Sequence, residues 1–221
     1  MSAKDYYLQA HIPTALFVDI SNFCDKTSPY MNTMPGLDQF TTRMKELGVG
    51  LDKPVVCYDN RDWRWAARTA WLLEVYGHSD VSILSERVEL TESGEAQPFT
   101  CIDYGFALRE HLLTRFEQVQ AIVRGDKTAT ILDARPPQQF DAGHIEGAVN
   151  IPVSQFFAQK IASAEDIAKV FASKNIDLNG PLVFNCNSGI QSSLLYSVAI
   201  HIGCTNVSNY AGSWLEYSKR K

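Results

Sequence analysis

The sequence predicts an α/β fold of two similar halves, each a parallel sheet flanked by helices. Three observations predict it: paired buried-strand signals, a helix after each, and a repeated order of landmarks. The buried-strand signals are Pro54-Val55-Val56-Cys57-Tyr58 and Pro181-Leu182-Val183-Phe184-Asn185. Each is a short apolar run opened by proline, the pattern of a strand covered on both faces. A helical stretch follows each one, over 64–76 and 192–202, and each stops at a glycine, Gly77 and Gly203. A glycine just past the last periodic residue is a common helix C-terminus. Thr128-Ala129-Thr130-Ile131-Leu132-Asp133 adds a third, β-branched strand. Strands alternating with helices imply parallel pairing.

The repeat organises the chain. Tyr7-Leu8-Gln9-Ala10-His11-Ile12-Pro13-Thr14-Ala15 aligns with Phe140-Asp141-Ala142-Gly143-His144-Ile145-Glu146-Gly147-Ala148. His11 lies 48 residues before Asp59, and His144 lies 42 before Cys186. Asp59 to Gly77 spans 18 positions and Cys186 to Gly203 spans 17, so a duplicated α/β unit is expected. The polar stretch from Glu89 to Pro98 reads as the join. The expected division is an N-terminal domain over 1–89, a linker over 90–108 and a C-terminal domain over 109–221. The second half has the strand Ile131-Leu132-Asp133 ahead of its histidine motif, whereas the first has only about six residues there. The first sheet is therefore expected to lack its opening strand, which exposes an edge.

Composition excludes several classes. The 221 residues carry 20 Lys+Arg against 25 Asp+Glu, a net charge of −5, which does not suit a general nucleic-acid binder. No apolar run approaches the roughly 20 residues of a membrane span. The N-terminal residues resemble neither a signal peptide nor an Arg-rich transit peptide, so a cytoplasmic address is expected, with the mitochondrion as the alternative. Five cysteines (Cys24, Cys57, Cys101, Cys186, Cys204) include no C-x-x-C pair, so neither a disulfide framework nor a metal site is indicated.

The chemistry-bearing segment is Cys186-Asn187-Ser188-Gly189-Ile190-Gln191-Ser192. A cysteine leaves the carboxyl end of a buried strand, where ligand sites of parallel sheets form. A tight loop entering a helix turns backbone N–H groups inward as an anion nest, which favours the thiolate. Cys57, Cys204, Cys24 and Cys101 lack such a setting and read as structural. Gly189 supplies the backbone freedom for the tight turn.

These motifs together resemble a family. Leu132-Asp133-Ala134-Arg135, Gly143-His144-Ile145-Glu146-Gly147-Ala148-Val149-Asn150-Ile151-Pro152, the Cys186 loop and Tyr210-Ala211-Gly212-Ser213-Trp214-Leu215-Glu216-Tyr217 carry the match in the second half. His11-Ile12-Pro13, Thr27-Ser28-Pro29-Tyr30, Met34-Pro35, Leu47-Gly48-Val49 and Tyr58-Asp59 carry it in the first. The chain resembles the tandem rhodanese-type sulfurtransferases, the 3-mercaptopyruvate and thiosulfate sulfurtransferases. The resemblance implies a non-catalytic first half, with Asp59 at the position matching Cys186. It also implies transfer of sulfur from thiosulfate or 3-mercaptopyruvate to a thiol or cyanide through a persulfide on Cys186.

By the same resemblance, Ser188 and His11 are the expected proton handlers, with the acid partner of His11 unassigned. Asn187, Gly189, Ile190, Gln191 and Ser192, with Arg135 and Gln139, are the expected substrate-binding set. Arg135 reads chiefly as the partner of Asp133, His144 as a brace of its loop, and Trp63, Trp65 and Trp71 as core. The family's mercaptopyruvate enzymes hold the substrate carboxylate with two arginines. Here Gln139 stands at the first position and the segment bearing the second is absent, so a weakened grip on mercaptopyruvate or another donor is expected. No metal or organic cofactor is implied. The expected partners are a small-molecule sulfur donor and a thiol or thioredoxin-like acceptor, without nucleic acid or membrane. The competing reading is a degenerate, non-catalytic module that binds a partner or senses redox state. A cysteine phosphatase is set aside, because the arginine it needs six positions after the cysteine is here Ser192.

Overall fold

The computed structural model describes residues 1–157 and 161–221. In the first half, α1 (Ala3–Gln9) and α2 (Leu37–Leu47) precede β1 (Val55–Cys57), α3 (Arg64–Val75) and β2 (Val81–Ile83). In the second half β3 (Leu113–Thr114), α4 (Phe116–Val123), β4 (Thr130–Asp133), α5 (Pro137–Asp141) and β5 (Val149–Asn150) lead on. They are followed by α6 (Ala164–Ser173), β6 (Leu182–Asn185), α7 (Ile190–His201), β7 (Val207–Tyr210) and α8 (Ser213–Arg220). All pairing between these strands is parallel: β1 with β2, and a sheet of order β3-β7-β6-β4-β5.

The expected strands and helices form. α7 begins two residues earlier than the periodicity suggested, because Gly189 takes a left-handed φ of +86° and turns the chain directly from β6 into the helix. Gly77 (φ +104°) and Gly203 (φ +93°) end the two repeated helices as predicted. The residues after Glu89 form no extended linker at their start. Glu92 bridges His11 in antiparallel fashion, and Gly94 N–H donates to the Leu8 carbonyl, which folds this segment back over the first half.

The repeat is visible in hydrogen bonds. His144 Nδ1–H donates to the Phe140 carbonyl (2.9 Å) and its ring lies on Phe140 at 3.8 Å. His11 makes the same pair of contacts with Tyr7, at 2.9 Å and 4.2 Å. The repeat breaks at the sheet. β6 is flanked by β7 and by β4, and its Val183, paired with Ile131, is 4% exposed. The matching β1 has β2 but, among the described residues, no counterpart of β4, and its Val56 is 61% exposed. Where that strand would run there is a cavity of about 590 Å³, with Ala15, Leu16, Phe17 and Val18 on one side and Val55, Val56 and Cys57 on the other.

One core joins the halves. α3 presents Ala67, Ala70, Trp71 and Leu72, and α7 presents Leu194, Leu195, Val198 and Ala199, all buried and in a single cluster. Small alanines let the two helices approach closely, while Trp71 and the leucines supply the buried area. The Tyr196 hydroxyl of α7 donates to Glu74 of α3 at 3.0 Å. Burial raises the Glu74 carboxyl above its ordinary value, more than that hydrogen bond lowers it.

Two outcomes follow from this packing. Val56→Thr should change unfolding free energy by less than about 0.5 kcal/mol, as exposed substitutions do. Val183→Thr should cost about 1–3 kcal/mol for burying a hydroxyl; urea melts of the two variants measure the contrast. Because its folded value is raised, Glu74 adds stability below the ordinary carboxylate value of 4.5 and loses it as pH climbs through the folded value. Relative to Glu74→Gln, the natural protein should therefore lose melting temperature as pH rises from about 4.5, a dependence that melts across a pH series would read.

Candidate active site

The site is the loop between β6 and α7. β6 is buried along its whole length, which fixes the point where the chain emerges and leaves Cys186 at its carboxyl end. Cys186 is 1% exposed. Its Sγ accepts the Gly189 N–H at 3.1 Å, and its own N–H donates to Ser213 Oγ at 3.2 Å. The start of α8 holds the loop from the other side: Trp214 and Leu215 N–H groups donate to the Cys186 and Asn187 carbonyls, both at 3.0 Å. A Cβ on Gly189 would come within 2.8 Å of the Ala211 carbonyl, so both its φ and its surroundings require glycine.

The expected residues fall into three groups. Asn187 is exposed, and Ser188 and Gln191 are half-buried, so these face the opening. Gly189, Ile190 and Ser192 are buried around the cysteine, and Ser192 Oγ has no hydrogen-bond partner among the described residues. Arg135, Gln139 and His11 lie apart from the sulfur's own contacts. Arg135 is 2% exposed and not open to a ligand. Its Nε and Nη2 donate to Asp133, Nη2 also to the Gly143 carbonyl, and Nη1 to the Gln139 carbonyl. Gln139 contributes only that carbonyl to the set, and it is itself exposed. Ser188 Oγ accepts from Asn32 Nδ2 at 2.8 Å, while His11 Nδ1 is engaged by Tyr7. Thus no hydrogen bond joins His11 to Ser188 among the described residues, and His11 repeats the bracing geometry of His144.

Asp59 shows what such a loop does. It stands after β1 as Cys186 stands after β6, and its Oδ1 accepts the N–H groups of Arg61, Asp62 and Trp63. Its Oδ2 accepts those of Trp65 and Ala66. Five amides at 2.9–3.1 Å converge on one carboxylate, which is an anion nest filled by its own chain. In the second half a shorter side chain, one sulfur long, stands at the matching place. Three other cysteines are held as thiols: burial pushes Cys57 up to about 12 and also raises Cys24 and Cys204.

Three residues escaped the sequence reading. Asn32 touches Ser188, Ser213 holds the Cys186 N–H, and Arg68 of α3 donates Nη1 to the Gly189 carbonyl (3.4 Å) and Nη2 to that of Asn32 (2.7 Å). Ser213 has a left-handed φ of +54°, sustained by the bond from its hydroxyl to the Tyr210 carbonyl at 2.8 Å. Arg68 left one trace in the sequence: a charge three residues before Trp71 and four before Leu72, on the apolar stripe of its helix.

The chain matches the Rhodanese-like domain model over residues 2–89 and 116–220. It is 33% identical over 241 residues to the human 3-mercaptopyruvate sulfurtransferase, covering 99% of this chain and 80% of that protein. It is 32% identical over 238 residues to the chicken (Gallus gallus) thiosulfate sulfurtransferase, covering 99% of this chain and 82% of that one. The crystal structure of the Escherichia coli 3-mercaptopyruvate sulfurtransferase SseA superposes with a TM-score of 0.87 at 28% identity, over 97% of this chain and 87% of that one.

The Asp133–Arg135 pair anchors the end of β4 beside β6, through Asn185 Nδ2 to Asp133 at 2.8 Å. Arg135→Met should destabilise the protein by about 3–5 kcal/mol, because it strands Asp133 as an unpaired buried charge. Double replacement with Asp133→Asn should recover much of that loss in the same denaturant melts.

Proposed function

The chain belongs to the rhodanese-like domain family and is a sulfurtransferase; from that premise we propose that Cys186 carries the sulfur as a persulfide. The observation that supports this most is the pair of matching loops. In the first half the nest holds an anion one bond longer than a cysteine thiolate, the Asp59 carboxylate. Adding one sulfur to Cys186 extends its side chain by one bond and places the anionic atom where the second loop's amides can receive it. The nest then favours the persulfide anion without any reorganisation of the backbone.

The steps balance with either donor. With thiosulfate, the Cys186 thiolate attacks the outer sulfur, the S–S bond breaks and sulfite leaves with the electron pair. With 3-mercaptopyruvate, the C–S bond breaks, the carbon takes the pair as an enolate, and the thiol proton ends on that carbon to give pyruvate. A thiol or cyanide then attacks the outer sulfur and regenerates the thiolate. Asn187, Ser188 and Gln191 line the approach, with Gly189, Ile190 and Ser192 shaping the floor. Ser188, half-buried two residues after Cys186 in the same loop, is the favoured proton handler; His11, engaged with Tyr7, belongs to this reading as a second one. Gln139 and the engaged Arg135 leave no guanidinium at that position, among the described residues, to grip the carboxylate of 3-mercaptopyruvate, so a weak hold on that donor is expected.

The same reading assigns the work to residues 109–221 and support to residues 1–89, with 90–108 between them. It extends to a thiol or thioredoxin-like acceptor and a cytoplasmic setting. No helix among the described residues is long and apolar enough to cross a membrane. A non-catalytic module is the less favoured reading, since the loop around Cys186 is fully built.

Intact-mass measurement after brief exposure to thiosulfate should show one added sulfur atom, removed by cyanide and absent in Cys186→Ser. A Cys186→Asp protein should fold at least as stably as the natural chain and load nothing. A folded natural protein that gains no sulfur from either donor would sink the proposal and favour the non-catalytic module.

A further inference from the structure

We propose that Arg68 is a positioning residue for sulfur transfer: its guanidinium is the counter-charge of the sulfur anion on Cys186 and ties the cysteine loop to the first half. This rests on the reading of Cys186 as the nucleophile. Arg68 is 1% exposed, in the seam between α3 and α7. A buried arginine ordinarily faces a carboxylate, yet Arg68 takes part in none of the ion pairs among the described residues. Its hydrogen bonds go to two carbonyls, Asn32 and Gly189, and its guanidinium lies over the Trp71 ring at 4.8 Å. An uncompensated buried cation is costly, and arginine keeps its charge even so. Burial pushes it down only to about 10.

The ionisable groups that face it are Cys24, Tyr76 and Cys186. Cys24 donates its thiol to the Ile20 carbonyl, and burial raises it. Lys26 and Asp19 act on Cys24 with opposite sign. Tyr76 donates its hydroxyl to the Pro35 carbonyl, and burial pushes it up to about 12. Both are therefore neutral at physiological pH. Cys186 is the remaining group, and its reaction requires the anion. The bonding pattern gives the geometry: Arg68 binds the Gly189 carbonyl, the Gly189 N–H binds Cys186 Sγ, and the Asn32 held by Arg68 binds Ser188. One guanidinium thus holds the loop at Gly189 directly and at Ser188 through Asn32, and supplies a counter-charge for the sulfur anion.

The test compares Arg68→Lys, which keeps the charge, with Arg68→Met and Arg68→Gln, which remove it. Each is first melted to establish folding. Iodoacetamide labelling of Cys186 is then followed by peptide mass across pH 6–10, alongside sulfur loading from thiosulfate. An opposite charge within about 4–6 Å favours an ionised form by about one to three pH units. Arg68→Met and Arg68→Gln should therefore shift the labelling midpoint upward and slow labelling at pH 7 by about tenfold or more. Arg68→Lys should stay close to the natural protein in both. A folded neutral variant with an unmoved midpoint overturns the proposal. So does an equal shift in Arg68→Lys and the neutral variants, which would mark lost packing. Labelling is read independently of loading, so a natural protein that labels but loads no sulfur refutes the persulfide and leaves the Arg68 result standing on its own.

Discussion

The close contact of α3 with α7 is the constraint on which the rest of the molecule depends. It merges two sheets of unequal size into one apolar core, so neither half buries its helix alone. The first half has a two-stranded sheet, too little to hide the face of a helix bearing Trp71, Leu72 and Leu73. The second half supplies the missing cover with Leu194, Leu195 and Val198. The seam also delivers Arg68 and Asn32 to the cysteine loop. Structural support and chemical support therefore come from the same surface.

The loop itself follows a simple logic. A parallel strand ends, a tight turn gathers amide donors, and a helix begins. The chain builds this twice. In one copy the donors are saturated by Asp59, which makes that loop rigid and chemically closed. In the other copy Cys186 Sγ accepts the Gly189 N–H, and the proposed persulfide would set its outer sulfur among the loop's other amides. The two copies thus differ by one side chain at one position in a shared frame, Asp59 against Cys186.

Much of this was legible in the sequence because it is local. The strand–loop–helix unit around Cys186, the glycine stops at Gly77 and Gly203, and the absence of an opening strand in the first half all depend on residues near one another in the chain. The repeat alignment of Tyr7–His11 with Phe140–His144 reappeared as matching stacked pairs. What sequence could not supply are contacts that bridge long separations. Arg68 reaches Gly189 across 121 positions and Asn32 reaches Ser188 across 156. Ser213 was visible within a motif, but not its bond to the Cys186 amide, which depends on how β7 and α8 turn back over β6. Arg135 reads in the sequence both as the partner of Asp133 and as a candidate ligand, and the two further carbonyls that consume its donors, Gly143 and Gln139, are seen only in the fold.

The unmatched edge of β1 has a consequence for how the protein behaves in company. Alternate backbone groups of β1 point away from β2, beside the cavity flanked by Ala15–Val18 residues, and Val56 stands in the open. Such an edge is a template that an extended chain can join, and Lys53 and Pro54 at its start are the residues beside it that discourage joining. The exposed edge thus belongs to the first half, while the chemistry proposed above belongs to the second. Concentration, which is irrelevant to the chemistry at Cys186, sets how long the molecule stays a solitary one.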